Sequence, residues 1–190
     1  MGRNHEYFAN PKHVEAYVEM LEGYENHFMT DLLGSRLQPG SSVLELGMGP
    51  GKDLLRLQHD FRVTGSDYSP VFIELFRDKY PEADLLLLDA VTLNTEKRFD
   101  CIFSNKVLMH LETNEMIASF KRQKELLNKG GILIHSLWFG DSVEEFDGLY
   151  FQYYNEETLH GACLHAGLTV IEIGRYLEEE QDDSLYLVAG

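Results

Sequence analysis

Residues Ser41 to Asp53 read SSVLELGMGPGKD. An apolar run, Val43-Leu44-Glu45-Leu46, leads directly into Gly47, Gly49 and Gly51 at every second position. Lys52 and Asp53 open the next segment. Glycines at that density weaken the interior of any helix or strand, so they serve geometry. A buried strand, a tight glycine loop and a helix start form the opening unit of an α/β fold.

Working outward, the chain alternates. SVLEL reads as a buried strand and GKDLLRLQHD as a helix; RVTGSD is a short strand. SPVFIELFRDKY is a helix with Ser69 as its N-cap and Pro70 in its first turn. ADLLLLD and FDCIFSN are strands, and ETNEMIASFKRQKELLNKGG is a helix that stops at a glycine pair. ILIHSLWF is a strand, and NEETLHGACLHAG a helix opened by Asn155 and closed by Gly167. LTVIEIGRYLE and DSLYLVA are two strands joined by an acidic turn.

Continuously apolar strands that alternate with helices imply a mostly parallel sheet covered on both faces. A mere turn between the last two strands forces them antiparallel, because a parallel crossover needs about a dozen residues or more. The expected fold is a Rossmann-like, doubly wound sheet of seven strands, mostly parallel, with the last strand reversed. From Pro11, apolar residues recur at helical spacing (Val14, Tyr17, Val18, Leu21, Phe28, Leu32), and Pro39-Gly40 makes a turn. We therefore expect one domain: a helical cap or lid over residues 1–38 and a core over 39–190.

Composition excludes several functions. The net charge of −16 opposes a nucleic-acid partner, which normally requires a basic face. No apolar run approaches the roughly 20 residues of a membrane helix, and the N-terminal segment lacks a secretory apolar stretch. The start of the chain lacks the hydroxyl residue of a myristoylation signal, since Glu6 stands in its place. Two cysteines, Cys101 and Cys163, make neither a disulfide framework nor a zinc site. Cys101 reads as a buried thiol, which suits a reducing cytoplasm. No metal is expected: His5, His13, His27, His59, His135, His160 and His165 show no ligand spacing on one helix face. The acidic run from Glu178 to Asp183 reads as a solvated turn.

Ligands of such sheets sit outside the carboxyl ends of the strands. The residues there are Glu45 and the glycine loop, then Asp67, then Asp89, then Ser104-Asn105. A phosphate-binding P-loop is rejected, because Leu46 takes the place of its first glycine and Asp53 that of its hydroxyl. The dinucleotide fingerprint wants a small residue where Lys52 stands, so a nicotinamide-dependent oxidoreductase is the runner-up.

The pattern Glu45-x-Gly47-x-Gly49-x-Gly51 resembles motif I of the class I S-adenosylmethionine-dependent methyltransferases, specifically the small domains called type 11 or type 25. The resemblance covers roughly Leu37 to the C-terminus. It implies that Asp67, with Tyr68 beside it, meets the ribose hydroxyls; that Asp89 and Ala90 flank the adenine; and that Ser104 and Asn105 line the methionine end. It implies S-adenosylmethionine as cofactor and S-adenosylhomocysteine as product. The physical logic agrees. A bidentate carboxylate suits vicinal hydroxyls, a helix N-terminus suits the cofactor's carboxylate, and acidic walls suit a sulfonium. Taken singly, Asp67 reads equally as a turn residue, Asp89 as a helix cap, and Glu45 as an orienting group.

Methyl transfer needs alignment and water exclusion, and a base only where the nucleophile must lose a proton. His110 lies just beyond the fourth strand and is the candidate base; the alternative is a packing or capping role near Glu112. No Pro-Pro-Tyr-like or Pro-Cys motif points to a nucleic-acid base. Tyr7, Phe8, Tyr17 and Tyr24, with Tyr150, Phe151, Tyr153 and Tyr154, flank the pocket as an aromatic lid or as ordinary core. A small-molecule acceptor is the first expectation and a protein side chain the second. A non-catalytic sensor or partner subunit that binds the cofactor is the third reading. Oligomeric state is not legible.

Overall fold

The computed structural model describes residues 7–178 and 183–190. His5, Glu6 and the centre of the acidic run, 179–182, lie outside the described residues. A short 3-10 turn, Tyr7–Ala9, precedes α1 (Pro11–Met20) and α2 (Phe28–Arg36). The sheet then begins with β1 (Ser42–Leu46), α3 (Lys52–Leu57), β2 (Arg62–Asp67), α4 (Pro70–Lys79), β3 (Leu85–Leu87) and β4 (Phe99–Asn105). A second 3-10 turn, Leu108–His110, leads to α5 (Thr113–Leu126) and β5 (Leu127–Trp138). A hairpin, β6 (Val143–Phe146) and β7 (Leu149–Gln152), precedes α6 (Glu156–His165), β8 (Val170–Tyr176) and β9 (Ser184–Ala189).

Seven strands form one sheet in the order β3-β2-β1-β4-β5-β9-β8. β1 to β5 pair in parallel, and β9 runs antiparallel to both neighbours. The last strand is the reversed one, inserted between β5 and β8. Strand order switches direction between β1 and β4, so the crevice for a ligand opens at their carboxyl ends.

Alternation along the strands sorts the core. Leu44, Leu46, Ile102, Leu133, Leu185 and Leu187 face α5 and α6, where Met116, Phe120 and Leu159 meet them. Val43, Cys101, Phe103, Ile134 and Val188 face the other way, against Met29 and Leu33 of α2 and Leu57 of α3. The first segment is anchored separately: Phe8 and Val14 pack on Phe72 of α4, with Tyr17 and Tyr68 alongside.

Three expectations are corrected. The glycine pair does not stop α5, which ends at Leu126; Gly130 and Gly131 lie inside β5. There the register between β4 and β5 shifts, and Gly130 adopts φ +80°. The extra residues are accommodated as a bulge, which needs glycine. The third strand is shorter than ADLLLLD, because Asp89 bends the chain: its Oδ1 accepts from the backbone N–H of Val91 and Thr92 at 3.0 and 2.8 Å. The acidic run is not simply solvated. The Glu178 side chain is only 6% exposed and pairs with Lys106.

Candidate functional site

The glycine loop is shaped as much by protein contacts as by any ligand. Gly51 has φ +79°, and a Cβ there would lie 2.1 Å from the Phe76 ring. At Gly47 an added Cβ would lie 2.5 Å from Val107. At Gly49, with φ +50°, only the Tyr17 ring edge comes near, at 3.8 Å. So Gly47 and Gly51 let the loop nestle between the turn after β4 and α4, and at Gly49 only the Tyr17 ring edge stands against it.

Beside the loop lie three carboxylates. Asp67, at the end of β2, accepts the Gly49 N–H at 3.0 Å and the Ser69 N–H at 2.9 Å. The Tyr68 backbone N–H also hydrogen-bonds this carboxylate, and with about four acceptor sites against three donors the carboxylate keeps a lone pair. Burial pushes its carboxyl up to about 6 against these stabilising N–H groups. Glu45 is 3% exposed, and its Oε2 has no hydrogen-bond partner among the described residues. Burial first, then the Asp53 and Asp67 charges, hold it well above the usual carboxylate range. Asp53, in the first turn of α3, accepts from Asn105 Nδ2 at 3.0 Å; burial raises its carboxyl too.

Strand parity explains which residues of the β4 end join this group. Asn105 shares the face of Cys101 and Phe103 and so meets α3. Ser136 Oγ donates to its Oδ1 at 2.6 Å, which fixes the amide with its N–H₂ toward Asp53. Ser104 points to the opposite face. Its hydroxyl meets His135 Nδ1 at 2.8 Å, and His135 Nε2 meets Gln123 Oε1 at 2.8 Å. Gln123 Nε2 donates to Ser119 Oγ, and Ser119 donates to the Ala90 carbonyl. Because Gln123 Oε1 only accepts, His135 carries its proton on Nε2 and Ser104 donates to Nδ1. Burial lowers His135 to about 3, so the ring stays neutral. This fully buried chain ties the β4 end to Ala90. Ser104 therefore has its backbone, not its hydroxyl, to offer a ligand. Asp89 spends Oδ1 on its own turn; no hydrogen bond to its Oδ2 is found among the described residues. Tyr68 is half-buried beside Asp67, which, after burial, raises its hydroxyl.

His110 is the last residue of the second 3-10 turn. Its Nδ1 lies 2.9 Å from the Tyr150 carbonyl, which only accepts, so Nδ1 holds the proton. Burial lowers its pKa and keeps the ring neutral with a lone pair on Nε2. Phe151 packs edge-on to the ring at 4.8 Å.

Other residues join the site: Tyr17 and Tyr24, which the sequence offers as aromatic lid or core, and Lys52, Lys106 and Glu178, to which it assigns no such role. Tyr17 lies over Gly49 in the field of Asp67 and Asp53, and burial pushes its hydroxyl up to about 12. Lys52, which in the sequence is merely too large for a dinucleotide loop, donates to the Leu21 and Tyr24 carbonyls. Lys106, at φ +56°, places its ammonium 3.4 Å from the Trp138 ring centre and 3.3 Å from Glu178 Oε2. Glu178 also accepts from the Tyr24 and Tyr176 hydroxyls. The positive φ at Lys106 is held by this ion pair and by the Trp138 ring face beneath the ammonium.

The residues fit the group implied by the sequence. An unpartnered buried carboxylate oxygen at Glu45 calls for a cation. Asp67 offers a lone pair to a diol. The Gly49 side of the loop is met only by the Tyr17 ring edge. Among the described residues no cluster suited to a metal occurs, and no helix is long and apolar enough to cross a membrane.

This is the architecture of a Rossmann-like nucleoside-ligand fold with an acid-lined crevice at its switch point. Residues 43–131 match the family profile described as "Methyltransferase domain". Solved structures agree in fold. A TehB-like S-adenosylmethionine-dependent methyltransferase of Corynebacterium glutamicum superposes with TM-score 0.76 at 20% identity, covering 95% of this chain and 98% of that one. The glycopeptide N-methyltransferase MtfA, complexed with S-adenosylmethionine, gives TM-score 0.74 at 17% identity, covering 89% and 88%. Over the matched segment, and in its fold, the chain is similar to the S-adenosylmethionine-dependent methyltransferases. In sequence it is 27% identical over 149 residues to the malonyl-[acyl-carrier protein] O-methyltransferase of Acetivibrio thermocellus, covering 76% of this chain and 50% of that protein. The chain spans between about a third and just over half of the curated relatives it matches.

Proposed function

We propose that this protein binds S-adenosylmethionine and transfers its methyl group to a small-molecule acceptor. The observation that carries the reading is the convergence of Glu45, Asp53, Asp67 and Asn105 on one crevice, with a buried Glu45 oxygen left unpaired. Relatives named for small-molecule acceptors of differing chemistry, a trans-aconitate 2-methyltransferase and an (S)-coclaurine N-methyltransferase, support a small acceptor without choosing its functional group.

In this reading Asp67 holds the ribose diol and Tyr68 borders it. Asp89 and Ala90 flank the adenine, with Ala90 steadied through Ser119. Gly47, Gly49 and Gly51 shape the loop, and Glu45 faces the amino-acid ammonium. Asn105, with the Ser104 backbone, borders the methionine end. The cofactor supplies an electrophilic methyl on a sulfonium. The chain's contribution is alignment, exclusion of water and proton handling. Tyr17 covers the glycine loop, and Lys52 and Glu178 latch the chain that follows it at Leu21 and Tyr24. His110 is the base: Tyr150 fixes its tautomer so that Nε2 can take a proton from the acceptor.

Calorimetry tests the reading. S-adenosylmethionine and S-adenosylhomocysteine should both bind, and Asp67→Ala should weaken both at least tenfold. Absence of binding, or an unchanged affinity in the variant, overturns the assignment.

A further inference from the structure

The crevice has a surplus of hydrogen-bond acceptors, and its cations are already engaged. Lys106 points its ammonium at the Leu137 carbonyl (3.2 Å), Ser184 Oγ (2.5 Å) and Glu178 Oε2 (3.3 Å), with the Trp138 ring face beneath it. Three N–H bonds thus have three acceptors. Lys52 is bound to the Leu21 and Tyr24 carbonyls. Arg56 spans Thr30 Oγ1 at 2.9 Å and Asp31 Oδ1 at 2.8 Å. His27, which also faces Asp53, stands half-exposed beside Glu25.

Against these stand lone pairs. Glu45 is 3% exposed and its Oε2 is unpartnered, in the combined field of Asp53 and Asp67. Asp53 spends Oδ2 on Asn105, with no hydrogen bond to Oδ1 found among the described residues. His110, with Nδ1 committed to Tyr150, presents Nε2 as an acceptor. The bound cofactor carries one net positive charge, from its sulfonium, ammonium and carboxylate. Set against three carboxylates, that charge leaves the chamber acidic.

A carboxylate acceptor would meet Asp53 with no uncommitted lysine or arginine beside it among the described residues, a like-charge encounter in a partly dry site. Glu45 is taken by the cofactor's ammonium, and an amine brings N–H donors to the lone pairs that remain, Asp53 Oδ1 and His110 Nε2. We propose that the methyl acceptor is an amine nitrogen, and that Asp53 is the residue that admits amines and turns carboxylates away. The inference rests on the methyl-transfer reading. In the step, the amine arrives as an ammonium and gives one proton to His110 Nε2 and on to solvent. The freed lone pair then forms the N–C bond while the C–S bond breaks and its electron pair returns to sulfur, and the product leaves as the methylated ammonium.

The test uses the full chain saturated with S-adenosylhomocysteine and two shape-matched probe pairs, benzylamine against benzoate and cyclohexylamine against cyclohexanecarboxylate. By calorimetry each amine should bind at least tenfold more tightly than its carboxylate. In Asp53→Asn that ratio should fall to threefold or less. The ratio is taken within one loaded state, so a general loss of cofactor affinity cancels. Equal or tighter binding of the carboxylates, no binding of either amine, or a preference that survives Asp53→Asn each overturns the proposal. Failure of S-adenosylhomocysteine itself to bind is read first and strikes the methyl-transfer reading instead.

Discussion

Asp67 allows the sharpest quantitative test of the acid-lined crevice. It is 5% exposed, and burial raises its carboxyl from 3.8 to about 6. A carboxyl raised in the folded state binds its proton more tightly there than in the unfolded chain. Its full contribution to stability is therefore present below the unfolded value and is lost as pH rises through the folded one. Each tenfold in proton affinity is worth about 1.4 kcal/mol. The interval from 3.8 to about 6 thus amounts to about 3 kcal/mol, lost between about pH 4 and pH 7. Asp67→Asn removes the titration. Its amide keeps one acceptor but turns an N–H₂ toward either the Gly49 or the Ser69 N–H, a cost of about 1 to 3 kcal/mol that does not depend on pH. Urea unfolding of both proteins from pH 4 to pH 8 isolates the effect. The stability of the wild type relative to the variant should fall by about 3 kcal/mol across the window, whatever its absolute sign. Relief of Glu45 in the variant, whose carboxyl Asp67 helps to raise, acts in the same direction and can only steepen that fall. A difference that stays flat to within about 0.5 kcal/mol would refute the reasoning, because Asp67 would then titrate as a solvated carboxylate.

Gly51→Ala should destabilise the protein by about 2 to 4 kcal/mol in chemical denaturation, since the new methyl meets the Phe76 ring at a φ of +79°. Phe76→Leu in the same chain should recover only the steric part. Lys106→Met strands Glu178 in a site where its side chain is 6% exposed, and should cost about 3 to 5 kcal/mol; adding Glu178→Gln should return most of it, as a double-mutant cycle would show. His110→Gln should lower turnover on a working acceptor about 100-fold or more, while S-adenosylhomocysteine affinity, measured alongside, separates chemistry from binding. Cys101, fully buried with its thiol pushed far up by desolvation, should react with a thiol reagent only at the rate of unfolding; prompt labelling of the native protein would contradict the core assignment.

Much of this is legible in the chain because it is encoded locally. Period and punctuation specify the strands and helices, and a loop of a few residues between the last two strands forces β9 to run backwards. Ser69 and Asn155 cap the helices they open, as their sequence positions predict, because an N-cap needs only a side-chain oxygen and its own next turn. Glu45, Asp67 and Asp89 lie at strand ends, and strand ends in a parallel sheet are gathered along one edge. Parity along FDCIFSN even separates Asn105 from Ser104, once Cys101 and Phe103 are assigned to the α3 face.

Other features are decided by contacts between residues far apart in the chain. GG looks like a helix stop, but the register of β5 against β4 turns it into a bulge. Gly47 and Gly51 look like ligand glycines, yet their bulk limits are set by Val107 and Phe76. Glu178 looks like part of a solvated turn until Lys106, Tyr24 and Tyr176 converge on it. Periodicity and capping depend on a residue and its near neighbours, so the sequence by itself determined the layers, the reversed strand and the row of acids. Burial, tautomer and charge pairing depend on what distant segments bring together. Only the tertiary structure therefore decided that Asp53 faces Asn105, that His110 presents Nε2, and that the crevice's lysines are already engaged.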